Sequence, residues 1–260
     1  MLSKLFCDYR KYKRKEFYLI YQMGKVGSDA VCGAIGDDCV EHIHTLYGGN
    51  PNDKYLQRNN IKAPVYDFIY YGIKRFLLRL GAKNKKLKVI TLVRDPISRD
   101  PSMFFQDLDG YVHQKRKESY SDYISFNTGG VSRLISLYEE VYDFEYGLSW
   151  FERELKRYTG IDIYESSFVN GFVRVENDKF DVLCLRMEKL DELEAVLSDF
   201  CNRDIHLIRR NESVDKWYKS IYESFRLNYK IGERRLDQYK QSKLYLWLSV
   251  ESEVLVDNND

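Results

Sequence analysis

Much of what usually announces a protein's class is missing from this chain. It carries no excess of either charge: 41 basic against 40 acidic residues give a formal net charge of +1 over 260 residues. No global basic field exists to hold nucleic acid, so any anion site has to be local. The opening stretch, MLSKLFCDYRKYKRKEF, has no apolar core long enough for a secretion signal. No uncharged run approaches the length of a membrane span. The cysteines are odd in number (Cys7, Cys32, Cys39, Cys184 and Cys201), and none has metal-like spacing. Three of them, Cys32, Cys39 and Cys184, lie in or beside apolar stretches. All five read as reduced thiols, which suits a cytoplasmic compartment. Repeats, low-complexity segments and linkers rich in Pro or Gly are absent too. The expectation is therefore one domain over 1–260, with a helical C-terminal extension over 212–250 packed on it. The basic cluster from Arg10 to Lys15 reads as a solvated lead-in to the first strand. Peripheral contact with a membrane surface is its weaker reading.

What is present is enough apolar content for a sizeable core. Hydrophobic residues make up 44% of the chain and charged residues 31%, which keeps it soluble. The 22 tyrosines read mainly as half-buried residues at the edge of that core. Strand-like and helix-like segments alternate. Phe17–Gln22 reads as a strand, a helix follows from Ser28, and Cys39–Leu46 is a second β segment. Pro64–Leu80 has apolar residues at helical spacing, with Pro64 suited to the first turn. The run KVITLV over Lys88–Val93 predicts a central strand covered on both faces. A helix follows in RDPISRDPSMFFQ, then helices from Val131 to Tyr158 with a break at Gly147. The stretch from Gly160 to Phe180 is hairpin-like. Asp181–Arg186 predicts a strand, Lys189–Cys201 a helix, and Glu212–Leu248 charged helical segments ending in a frayed DNND tail. Such alternation argues an α/β fold with a parallel sheet, whose ligands bind at the carboxyl ends of strands.

Two loops occupy such ends. In YQMGKVGS, Gly24 and Gly27 let the backbone curl close to an anion. Lys25 brings a charge and Ser28 a hydroxyl at or near the helix cap. The spacing is not that of Walker A, where the lysine follows the last glycine. In VRDPISRDPS, a helix starting near Pro96 puts Ser98 and Ser102 on one face. Arg94 and Ser102 can then hold one phosphate between them. The alternative is that Arg94 pairs with Asp95 or Asp100.

Together these loops resemble the two nucleotide-binding elements of sulfotransferases that use 3′-phosphoadenosine-5′-phosphosulfate (PAPS). More specifically, the chain resembles bacterial capsular polysaccharide synthesis proteins with an Asn-Lys-Trp-Tyr-Ser motif. EHIHTL, WFERELKRYTGIDIY, VLCLRMEKLDEL and DKWYKSIYESF carry that likeness in order. The resemblance implies a P-loop-like central parallel sheet flanked by helices. It implies that Lys25, Val26, Gly27 and Ser28 hold the 5′-phosphosulfate, and that Arg94 and Ser102 hold the 3′-phosphate. It also implies a carbohydrate acceptor in capsular or surface polysaccharide synthesis.

Sulfuryl transfer needs a base at the acceptor hydroxyl but no metal, provided that lysine and amides neutralise the leaving group. EHIHT alternates, so His42 and His44 share a strand face. The family places its base at the end of this strand, which favours His44, with His42 or Glu41 as substitutes. A His-x-His pair could also bind zinc, although no third ligand is evident nearby. Glu188 looks like a bracing carboxylate. Two rivals keep the fold: an ATP- and magnesium-dependent small-molecule kinase, and a non-catalytic member of a polysaccharide assembly complex. Asp29 and Pro101 favour the latter.

Overall fold

A computed structural model describes residues 8–47, 63–116, 130–207 and 216–254, with side chains omitted over 63–68, 113–116 and 251–254. Its centre is a five-stranded sheet. The strands are β1 (Tyr18–Tyr21), β2 (Val40–Ile43), β3 (Leu87–Val93), β4 (Phe172–Glu176) and β5 (Phe180–Arg186), in spatial order β2-β1-β3-β5-β4. The first four of that order run parallel, with Tyr18 opposite Val40 on one side and Lys88 on the other. In β3 and β5 nearly every side chain is buried, as expected of strands covered on both faces.

β4 departs from the expected all-parallel sheet: it pairs antiparallel with β5 at the edge. The cause is local. Asn177 Oδ1 accepts the N–H groups of Lys179 (3.0 Å) and Phe180 (2.9 Å), closing a tight turn that can only make a hairpin. The second β segment is also shorter than Cys39–Leu46, ending at Ile43.

Helices α1 (Ser28–Ile35), α2 (Ala63–Gly81) and α3 (Pro96–Gln106) follow β1, β2 and β3. The chain leaves β1 through α1 to reach β2. It then returns past β1 through α2 to reach β3. The strand order therefore reverses at β1, and such a switch point is where open α/β sheets carry a crevice, here at the carboxyl ends of β1 and β3.

Further along lie α4 (Leu108–Arg116), α5 (Gly130–Val141), α6 (Phe144–Leu148) and a π-helical turn, Phe151–Lys156. Gly147 is not the expected break, because it lies inside α6. A Cβ there would sit 3.3 Å from Arg99 Cζ and 3.5 Å from Asp100 Oδ1, so its role is close approach. The predicted helix over Lys189–Cys201 is a 3-10 segment, Met187–Glu192, followed by α7 (Glu194–Cys201). Three separate helices close the chain: α8 (Lys219–Asn228), α9 (Glu233–Gln241) and α10 (Lys243–Val254). The expected start at Glu212 and the DNND tail lie outside the described residues.

α8 packs on the core through Phe225, fully buried with ring centroids 5.1 Å from Phe105 and 5.6 Å from Tyr138. The tyrosines are deeper than core-edge residues. Ten of those described are buried, among them Tyr21, Tyr138, Tyr142 and Tyr239. Cys184 and Cys201 are free and buried, and Cys32 and Cys39 are free and half-buried; Cys7 lies outside the described residues.

Candidate functional site

β1 ends in Tyr21, and the next residue, Gln22, is fully buried at the head of the glycine-containing loop. Three residues of this loop take left-handed backbone angles: Gly24 (φ 89°), Lys25 (φ 58°) and Gly27 (φ 82°). A lysine there is uncommon and is held by its surroundings. Arg99, itself fully buried, donates from Nη2 to the Met23 carbonyl and from Nε to the Gly24 carbonyl, both at 3.0 Å. Arg94 Nη1 reaches the Lys25 carbonyl at 3.4 Å. The loop is thus gripped through three successive carbonyls.

Gly27, not Ser28, is the N-cap of α1, and no side chain caps that helix. The Ala30 N–H turns back to the Gly27 carbonyl at 3.3 Å, and the N–H groups of Ser28 and Asp29 lead the helix, the arrangement that favours an anion. Asp29, in the first turn, is exposed. The Ser28 hydroxyl turns instead into a polar cluster with Gln22, His42 and His44.

Gln22 is the hub of that cluster. Its Oε1 accepts the Gly24 N–H, which fixes which end of the amide carries oxygen. Nε2 then faces Ser28 Oγ (3.0 Å), His42 Nε2 (2.8 Å) and His44 Nδ1 (3.0 Å). An amide nitrogen has two hydrogens for these three neighbours. His44 Nδ1 also lies 3.2 Å from the Gln22 carbonyl, which can only accept. We assign the His44 proton to Nδ1, donated to that carbonyl. Gln22 then donates to Ser28 and His42, and His44 keeps a lone pair on Nε2. The two imidazoles meet edge to face at 4.8 Å, on one side of β2 as alternation requires.

Both rings resist protonation. Burial pushes His42 down to about 4, helped by the nearby charge of His44. Burial also lowers His44, opposed by its bond to the Gln22 carbonyl and by Asp29. His44 nevertheless presents part of its surface to solvent, whereas His42 is half-buried. Glu41, weighed above as a substitute base, alternates to the other face, where Lys74 holds it at 2.5 Å.

The second loop follows β3. Asp95 caps α3 by accepting from Ile97 and Ser98 N–H, and its own N–H donates to Glu188 Oε1 at 2.9 Å. Glu188 therefore braces the loop, as expected. Arg94 Nε donates to Ser98 Oγ (3.1 Å), with Ser102 one turn further along the same helix. Burial lowers the Arg94 pKa, while Tyr222, Glu188 and Asp95 oppose that shift; an arginine stays charged regardless. Arg94 pairs with neither Asp95 nor Asp100 in an ion bridge. It is Arg99 that holds Asp100, at 2.5 Å. Asp100 also accepts the hydroxyls of Tyr142 (2.9 Å) and Tyr239 (2.5 Å). Asp100 and Pro101 are both buried, so they belong to the scaffold.

Sequence reasoning missed two residues. Gln22 stood in the quoted loop without a role. Glu154, in the π-helical turn, is buried and accepts from Thr45 Oγ1 (2.9 Å), the Leu46 N–H (2.8 Å) and the Tyr21 hydroxyl. With Trp150 Nε1 bonded to the His44 carbonyl at 2.9 Å, it pins the segment that carries His44. A signal existed: Trp150, Phe151, Glu154, Leu155 and Tyr158 are all buried, so the glutamate sits at helical spacing on an apolar face.

Fold and crevice define a mostly parallel α/β protein with a polar site at the strand ends. Residues 131–248 match the family model described as "Putative capsular polysaccharide synthesis protein". That match begins after both loops, so their geometry is an observation independent of it. No curated protein and no solved structure gives a significant match. No described helix is long and apolar enough to cross a membrane.

Proposed function

We propose that this protein is a sulfotransferase that moves a sulfuryl group from PAPS to a hydroxyl of a carbohydrate acceptor in polysaccharide synthesis. One observation carries the reading: a base-bearing cluster (Gln22, Ser28, His42, His44) abuts a preformed left-handed loop at the sheet's switch point. The carbohydrate context comes from the family match. In this reading His44 Nε2 removes the acceptor's hydroxyl proton as its oxygen bonds to sulfur. The bond from sulfur to the 5′-phosphate oxygen breaks, and adenosine 3′,5′-bisphosphate leaves. Loop amides and Lys25 stabilise the charge that builds on the leaving oxygen. Arg94, steadied by Ser98, takes the 3′-phosphate together with Ser102. His42 stays neutral and holds Gln22 in place.

A titration tests this. Adenosine 3′,5′-bisphosphate should bind far better than ADP without magnesium. Arg94→Ala should remove most of that preference, roughly 1.5–3 kcal/mol for a charge-assisted contact. Equal affinities in the unmodified protein would reject the assignment.

A further inference from the structure

The opposite end of the sheet holds a cavity of about 550 Å³, with walls that include Leu87 and Phe180, the first residues of β3 and β5. A seven-residue strand spans roughly 20 Å, so this cavity is well separated from the crevice at the other strand ends.

Four cationic side chains surround it: Arg79 and Lys83 at the end of α2, Arg157 after the π-helical turn, and Lys179 in the β4–β5 turn. Among the described residues no carboxylate lines it. Several other cations of this chain are neutralised by a carboxylate, as in Lys74–Glu41, Lys86–Glu176, Lys156–Asp162 and Arg174–Asp181. Among the described residues none of these four is in an ion pair. In a chain of net charge +1, four such groups around one concavity make a local positive field that has to come from placement. Arg157 is braced over the Tyr47 ring at 3.9 Å and Arg79 over Tyr158 at 5.4 Å, which limits the freedom each guanidinium would lose on binding. The buried wall is aromatic and apolar, from Tyr158, Phe180 and Leu87. The Tyr158 hydroxyl is buried with no hydrogen-bond partner among the described residues. Cations around an apolar aromatic wall match a ligand with carboxylates on its edge and C–H groups on its face.

We propose that this cavity binds an acidic oligosaccharide, a uronate-bearing stretch of glycan, at a site distinct from the strand-end crevice. It would hold a charged chain by charge-assisted bonds from cations of three different segments. The site is independent of the sulfotransferase reading; only its carbohydrate context rests on the family match.

The test is a titration with tetragalacturonate, with maltotetraose as the neutral control, in the absence of nucleotide. Tetragalacturonate should bind at least about tenfold more tightly than maltotetraose, and added salt should weaken it. The double variant Lys83→Glu/Lys179→Glu should lose at least about tenfold in that affinity, and Lys83→Gln/Lys179→Gln a smaller part. Both lysines are exposed, and adenosine 3′,5′-bisphosphate binding should be unchanged in each variant. Equal affinity for the two sugars, or full affinity in the charge-reversed variant, overturns the site. Tighter binding of a single-stranded oligonucleotide of equal charge overturns the choice of a sugar. Because no nucleotide is present, the result stands whether or not the strand-end crevice takes PAPS.

Discussion

Two polar clusters lie on either side of the same loop and are built on opposite terms. Behind it, Arg99 and Asp100 are fully buried, and nearly every donor and acceptor is matched: two loop carbonyls, one carboxylate, two tyrosine hydroxyls. In front, Gln22, Ser28, His42 and His44 share one amide among three neighbours and leave an imidazole open to solvent. A cluster with every bond closed has nothing left for a ligand, and its effect is to fix shape. A cluster whose outer ring keeps a lone pair open to solvent has an acceptor left for whatever binds. Arg94 and Arg99, five residues apart, repeat the contrast: Arg99 is fully buried and bonded through all three of its nitrogens, whereas Arg94 is half-buried at the crevice.

The comparison predicts where variants act. The largest effect belongs to the rear cluster. Asp100→Ala strands a buried guanidinium and two tyrosine hydroxyls, so urea unfolding should show a loss of about 3–5 kcal/mol. A loss under about 1 kcal/mol, the scale of a surface pair, would show that the cluster is not closed as described. His44→Ala should leave the urea midpoint nearly unchanged and cost roughly a hundredfold or more in turnover. Nucleotide affinity should survive. Near-normal turnover in His44→Ala beside a dead His42→Ala would exchange the roles assigned to the two rings.

Gly147→Ala pushes a methyl against Arg99 and should cost about 1–3 kcal/mol, read by thermal melting, through the rear cluster alone. Substrate affinity should not change in that variant. The effect confined to the narrowest range of conditions is in pH dependence. His42 is held neutral, with a folded value near 4 against an ordinary 6.5. Between those limits the unfolded chain binds more protons, so stability falls as pH drops from about 6.5 towards 4. His42→Gln should flatten that part of the stability profile. An unchanged slope would place the titrating group elsewhere. For His44, the lowered value puts the acid limb of turnover below pH 6.5.

The front cluster was partly legible in the sequence. Strand β1, the glycine loop, the paired histidines and Arg94 all carry local signals: apolar runs, glycine punctuation and alternation. The rear cluster was not, because its bonds join residues far apart in the chain. Asp100 and Tyr239 are 139 positions distant, and Glu154 and Tyr21 are 133. Nothing in the adjacent letters separates Arg99 from Arg94 either, since each opens an Arg-Asp-Pro tripeptide. The edge hairpin was half visible: its turn residues were recognised, but its antiparallel pairing to β5 depends on the Asn177 bonds.

The grip on the loop has a geometric consequence. In a trans peptide unit the C=O and N–H point in opposite directions across one plane. Arg99 and Arg94 draw the carbonyls of Met23, Gly24 and Lys25 towards themselves. The N–H groups paired with them, on Gly24, Lys25 and Val26, are therefore turned away from the arginines. Two positive side chains thus orient a row of peptide dipoles without touching what those dipoles face. Amide hydrogens at Lys25 and Val26 should accordingly have narrow angular distributions before any ligand arrives, and association should proceed in one kinetic phase, with no slower step of loop ordering behind it.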